Sequence, residues 1–253
     1  IDGKEYAIPT GEQVTDLLDR NRELVAKKKE QGFTRLQLTP FAIPLATLTD
    51  RVKASIIRHH NEGKIFQAKT DPKDRDVPVE VNTGEPVWTW DALKRADESG
   101  ALVYFPSSFS RSHHGLEKKA VITKSDICAV PGWSVALVED TATIPQQGQG
   151  KALGGRHQLE TDRTPKDYLS ALGSSQYRQE TGFTPEDFLI KFATRLEETN
   201  QISHGWSDNS AAWLVGAYQK TEACVPGARW YRATRRLGVY ASAPEARDPN
   251  WGG

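Results

Sequence analysis

Two cysteines in 253 residues, Cys128 and Cys224, are too few to staple a small domain, and neither has the paired spacing of a zinc site. They read as two small buried hydrophobes, with one long-range bridge as the alternative. Long hydrophobic runs are also missing: nothing approaches the roughly 18 apolar residues needed to span a bilayer. The opening Ile1-Asp2-Gly3-Lys4-Glu5 lacks the charged-then-apolar layout of a signal peptide. A soluble chain is expected; because it starts at Ile1, trimming, and with it secretion or surface display, stays open.

Reaction signatures are equally scarce. There is no Gly-x-Ser-x-Gly elbow, and Gly148-Gln149-Gly150-Lys151 lacks the spacing and the Ser/Thr of a phosphate-binding loop. Asp71-Pro72-Lys73-Asp74-Arg75-Asp76 lacks the glycine and the terminal glutamate of a calcium loop. The adjacent pairs His59-His60 and His113-His114 cannot each present two ligands on one face, since neighbours diverge by about 100° on a helix and point oppositely on a strand. A metal-dependent hydrolase built on His113, His114 or His157 is therefore kept only as an alternative, and no cofactor is expected.

What is present is a globular composition, 37% hydrophobic and 26% charged, with zero formal net charge. The charge is uneven: from Ala223 to Gly253 five arginines (229, 232, 235, 236, 247) meet only Glu245 and Asp248, so this tail carries +3 and the rest −3. Such a patch attracts anions or is simply a solvated face, and nucleic-acid binding through it is a further alternative.

Thr10 to Gln13 is a capping-box pattern, predicting a helix with Val14, Leu17, Leu18, Leu24 and Val25 on one stripe and a stop at Gly32. The Lys27-Lys28-Lys29 run on its last turn is explained by the helix dipole. Phe33 to Leu38 reads as a strand, and a helix from Pro44 carries Leu45, Leu48, Val52 and Ile56 before Gly63. Residues 70–86 read as an irregular loop, Trp88 to Ser99 as a short helix, and Ala101 to Phe105 and Trp133 to Val138 as strands. The Gly- and Gln-rich stretch 146–155 suggests a boundary between a supporting α/β region, 1–150, and a second region, 151–253, or a loop within one continuous domain.

Thr164-Pro165-Lys166-Asp167 and Thr184-Pro185-Glu186-Asp187 are two helix starts, the second predicted to run to Asn200 with Phe188, Leu189, Phe192 and Leu196 buried. Beyond it, the short apolar runs Ala211 to Tyr218, Ala228 to Tyr231 and Leu237 to Tyr240 alternate with Gly, Ser, Asn, Asp and Pro, as strands joined by loops do. Trp206, Tyr218, Trp230, Tyr231, Tyr240 and Trp251 are interleaved there with Arg, Ser, Asn and Asp, the residue mixture of a contact surface. Trp213 and Trp230, among apolar neighbours, read as core.

The helix Thr184 to Asn200, then 211–218, then Arg229-Trp230-Tyr231-Arg232, and finally Asp248-Pro249-Asn250-Trp251-Gly252-Gly253, resemble the end of a C-type lectin fold. More narrowly, they resemble variable proteins of diversity-generating retroelements, in their archaeal or uncultivated-microbe branch. The resemblance covers roughly residues 180–253. It implies an α+β, C-type-lectin-like fold with short strands, two or more helices and long loops, and a non-enzymatic protein that binds a protein or other macromolecular ligand through diversified C-terminal positions.

Adenine-directed diversification of Asn codons cannot yield Lys, Gln, Glu, Met or Trp. From Ala223 onward there is no Lys, Gln or Met, one Glu and two Trp, a pattern that suits a varied stretch held by anchors at Trp230 and Trp251. The resemblance then implies a ligand-contacting surface of Arg229, Tyr231, Thr234, Arg236, Tyr240, Ser242, Asp248 and Asn250. The family usually continues past its last glycine, so a trimmed or disordered end is expected at Gly253. Calcium-dependent sugar binding is not expected, because the Glu-Pro-Asn triplet is absent and Trp206-Ser207-Asp208-Asn209 only approximates the companion motif.

Overall fold

A computed structural model describes residues 1–69, 73–141, 143–203 and 211–253. His204, the Trp206-Ser207-Asp208-Asn209 stretch and the first two positions of the calcium-like loop lie outside the described residues. Among the described residues the architecture is mixed α+β, with seven α-helices and several small sheets.

The Thr10 capping box is formed and starts α1 (Gly11–Arg20). The single helix expected up to Gly32 is two: the Asn21 side chain donates to the Leu17 carbonyl, and the chain restarts as α2 (Arg22–Glu30). Asn competes with the helix ladder for backbone partners, and the break leaves Leu17, Leu18, Leu24 and Val25 only half-buried. Lys28 corrects the dipole account of the lysine run, because it is buried and ion-paired with Glu180 at 2.7 Å.

β1 (Arg35–Thr39) leads to α3 (Leu45–Asn61), whose Leu45, Leu48, Val52 and Ile56 are buried as their spacing requires. The helix expected over 88–99 is another correction. Val87–Thr89 is a strand, β2, followed by a 3-10 turn at Asp91–Leu93 and the single-turn α4 (Ala96–Ser99). β2 pairs with residues 237–239 far along the chain, so tertiary pairing overrides the local helical pattern.

β3 (Leu102–Tyr104), β4 (Leu116–Glu117), α5 (Lys118–Val121) and β5 (Ser134–Val138) follow, with β5 pairing antiparallel to β1. A small hairpin follows, with β6 (Ala152–Leu153) inside the stretch expected as a loop and β7 (Arg156–His157) just after it. α6 (Pro165–Leu172) and α7 (Pro185–Thr199) both begin with capping boxes, and Asn200 ends α7 in the left-handed conformation. Five strands complete the chain: β8 (Ala211–Trp213), β9 (Ala217–Gln219), β10 (Val225–Tyr231), β11 (Arg236–Ser242) and β12 (Trp251–Gly252).

The central sheet has the order β12-β8-β10-β11-β2. On one face of it Ala228, Trp230, Leu237 and Val239 join the main core with α3 and α7; Phe192 stacks on Trp230 with centroids 6.4 Å apart. That core draws on residues from Phe41 to Val239, so residues on both sides of 150 share it. On the other face a smaller core gathers Trp213, Val225 and Trp251 with Tyr168 and Leu172 of α6.

A buried ionic node ties the layers. Lys118 Nζ donates to Asp97 at 2.7 Å, Glu186 at 2.8 Å and the Ile43 carbonyl at 2.8 Å, and Tyr104 donates to Glu186. Burial would depress the Lys118 ammonium, but Glu186 and Asp97 outweigh it and hold its pKa above the ordinary value. Cys128 is buried and free, its thiol pushed up to about 12 by burial; Cys224 is half-buried and also free.

Candidate functional site

β10 and β11 form an antiparallel hairpin in which Tyr231 faces Arg236, Arg229 faces Gly238, Gly227 faces Tyr240 and Val225 faces Ser242. Side chains alternate across a strand, so these pairs lie on the face opposite the main core. Near β12 and β8 that face is covered by α6. Towards β2 it carries Trp88, Arg229, Tyr231, Arg236 and Tyr240, all half-buried.

Rings and guanidinium groups alternate along this stretch. Arg236 lies 5.5 Å from the Trp88 ring centre, and Arg229 lies 4.3 Å from the Tyr231 ring and 5.7 Å from the Trp251 ring. Tyr240 stands edge-on between Tyr231 (5.6 Å) and Trp251 (4.7 Å), and Trp251 packs against Trp213 at 4.3 Å. Cation–π contacts of this kind hold an arginine in one orientation.

Two glycines make the arrangement possible. A Cβ at Gly238 would come within 2.4 Å of the Tyr231 ring, and one at Gly227 within 2.6 Å of Trp251. Each aromatic side chain therefore occupies the space over a strand position that has no side chain of its own.

Burial pushes the Tyr240 hydroxyl far above its ordinary pKa and raises that of Tyr231, so both are neutral near pH 7. The Tyr231 hydroxyl meets both the Tyr240 hydroxyl and the Arg229 guanidinium, and among the described residues the Arg229 Nε–H and the Trp213 indole N–H are buried without a hydrogen-bond partner.

Of the expected surface, Arg229, Tyr231, Arg236, Tyr240 and Ser242 share this face. Thr234 sits apart, exposed in the turn at the tip of the hairpin, and Asp248 and Asn250 lie in the loop before β12, where Asp248 Oδ1 accepts from the Asn250 amide. Trp230 and Trp251 are both buried, and Trp251 also touches Arg229. Sequence reasoning missed Trp88, which it placed in a helix, and the roles of Gly227 and Gly238. The signal available for the glycines was their placement two residues from an arginine or a tyrosine inside apolar strands.

The basic tail is largely compensated. Arg235 pairs with Glu80 (3.6 Å), Arg247 with Asp162 (2.9 Å), and Arg236 with Glu85. His113 and His114 are neighbours in the loop before β4, where His113 accepts from the Gly115 amide at 2.9 Å and His114 is exposed with φ of 51°, while His157 is exposed on β7. Among the described residues no three His, Cys, Asp or Glu side chains gather where a metal could sit.

A cavity of about 600 Å³ lies beyond the hairpin's core face, lined by Val77, Val79, Ile202, Trp230 and Arg235 among others. Among its described lining residues the one carboxylate is Glu80, already paired with Arg235, so no acid–base couple faces it. No helix among the described residues is long and apolar enough to cross a membrane. Compared with protein-family models, with curated proteins and with solved structures, the chain matches none.

Proposed function

We propose that this chain is a non-enzymatic binding protein that captures a protein or other macromolecular ligand on the face formed by Trp88, Arg229, Tyr231, Arg236 and Tyr240. The observation that carries this reading is the division of one hairpin: alternate residues build the core on one side and a half-exposed arginine–aromatic surface on the other. Tyr, Trp and Arg are the side chains that dominate binding energy when held rigid. Pairing of Arg235, Arg236 and Arg247 with carboxylates favours a protein ligand over a nucleic acid, which needs free cations.

In this reading the fold is C-type-lectin-like and the surface belongs to a variable protein of a diversity-generating retroelement. Variation at Arg229, Tyr231, Thr234, Arg236, Tyr240, Ser242, Asp248 and Asn250 would leave Trp230 and Leu237 untouched beneath. Sequencing the 3′ end of the gene across many cells, with a search of neighbouring DNA for a near-copy, tests it. Substitutions confined to those codons, matched by adenines in the copy, are expected; an invariant end without a copy would reduce the reading to a fixed binding surface.

A further inference from the structure

Arg229 differs from its neighbours in the tail. Arg235, Arg236 and Arg247 each meet a carboxylate, whereas among the described residues no carboxylate lies within ion-pair distance of Arg229. Its guanidinium is half-buried between the Tyr231 and Trp251 rings, where a charge is costly unless it is compensated. Trp213, which also packs on Trp251, adds an indole N–H without a partner, and the residue is only 3% exposed. Asp248 lies close enough to influence Tyr240, yet its Oδ1 is engaged by the Asn250 amide. Beyond the Tyr231 hydroxyl, the cluster offers more donors than acceptors.

Resting on the binding-face reading above, we infer that Arg229 is the docking point for a carboxylate of the ligand. A guanidinium presents a planar fork that matches a planar carboxylate, and the flanking rings orient it. One uncompensated cation suits a monoanion; a dianionic phosphate would call for a second, and Arg236, next along the face, is already held by Glu85. The carboxylate comes from an Asp or Glu side chain or from a chain terminus.

The test titrates the full ¹⁵N-labelled chain with three probes: N-acetyl-aspartic acid α-amide (a side-chain carboxylate), N-acetyl-tyrosine (a terminal carboxylate) and N-acetyl-tyrosine amide (neither). The Arg229 Nε–H and the Trp213 and Trp251 indole resonances are followed. We expect one or both carboxylate probes to shift these signals with millimolar affinity, the stronger identifying the source, while the amide leaves them in place. Arg229→Gln should abolish the response; Arg229→Lys, which keeps the charge and loses the fork, should weaken it about tenfold and serves if the glutamine variant is unstable.

Equal shifts with the amide would overturn the carboxylate inference while leaving the face as a binding surface. No response at Arg229 to any probe, or an undiminished one in both variants, would overturn it too. The binding-face reading fails separately, if substituting Trp88, Tyr231 and Arg236 together leaves binding of peptides selected on the wild-type chain unchanged.

Discussion

The Trp251 indole lies over Gly227 so closely that a Cβ there would meet Trp251 Cζ3 at 2.6 Å and the Ala212 carbonyl at 3.2 Å. Gly227→Ala forces a buried ring and a neighbouring backbone apart, and should cost about 1–3 kcal/mol in denaturant unfolding. Gly238→Ala crowds only the half-exposed Tyr231 ring, which can swing outward. Its stability loss should be smaller, about 1 kcal/mol or less, and on the proposed binding role ligand capture should fall, since Tyr231 would no longer steady Arg229. Equal stability losses in the two variants would contradict this picture of the face.

The Lys118 node predicts a strong and partly reversible defect. Lys118→Met leaves Asp97 and Glu186 buried without their cation and should cost about 3–5 kcal/mol. Adding Asp97→Asn and Glu186→Gln removes the orphaned charges, so the triple variant should be more stable than the single one. Thermal melts of the three proteins decide it.

Lys191 provides an alkaline signature. Burial, with Arg195 and Arg35 adding to it, lowers its ammonium from 10.5 to about 8, against the pull of Glu139 and Asp140. Below pH 8 the lysine is charged in both folded and unfolded chains, and the folded chain bears the desolvation cost. Between about 8 and 10.5 only the unfolded chain holds the proton, so stability rises with pH. Lys191→Met should therefore be more stable than wild type at pH 7, by on the order of 1 kcal/mol, with the gap closing by pH 10.5. A gap that stays constant with pH would assign the effect to packing.

Acid acts at the α3–α7 contact. Burial would raise Glu197, but hydrogen bonds from Arg58, Ser55 and His59 overcome it and hold the carboxyl at about 2 against an ordinary 4.5. The stability it supplies is complete above pH 4.5 and is lost as pH falls towards 2. Because the side chain is half-exposed, solvent screens the pair, and Glu197→Gln should remove only a few tenths of a kcal/mol at pH 7 and almost none at pH 2, where half of the folded carboxyls are protonated. Urea midpoints at the two pH values measure both.

Where local chemistry decides structure, the sequence was readable. The capping boxes at Thr10, Thr164 and Thr184, the stripe of α3 and the strands around Trp230 and Leu237 form as their spacing predicts, because each signal lies within a few residues. Contacts made across the chain were hidden. Trp88 pairs with Gly238, Lys28 with Glu180, and Lys118 with Asp97 and Glu186, and no local periodicity records such partners. For the candidate face, Arg229, Tyr231, Arg236, Tyr240 and Ser242 could be anticipated from the tail, while Trp88 and the two glycine floors required the sheet.

The two-residue alternation of the β10–β11 hairpin also constrains how this protein can evolve. Exchanging one residue for another at Arg229 or Tyr231 alters the half-exposed face and leaves the main core beneath it alone. Deleting or inserting a single residue within β10 would turn Trp230 outward and drive Arg229 into the apolar layer beneath, and one within β11 would do the same to Leu237 and Tyr240. Innovation on this surface is thus confined to spelling changes at fixed length, and lineages should differ there in letters and not in number of residues.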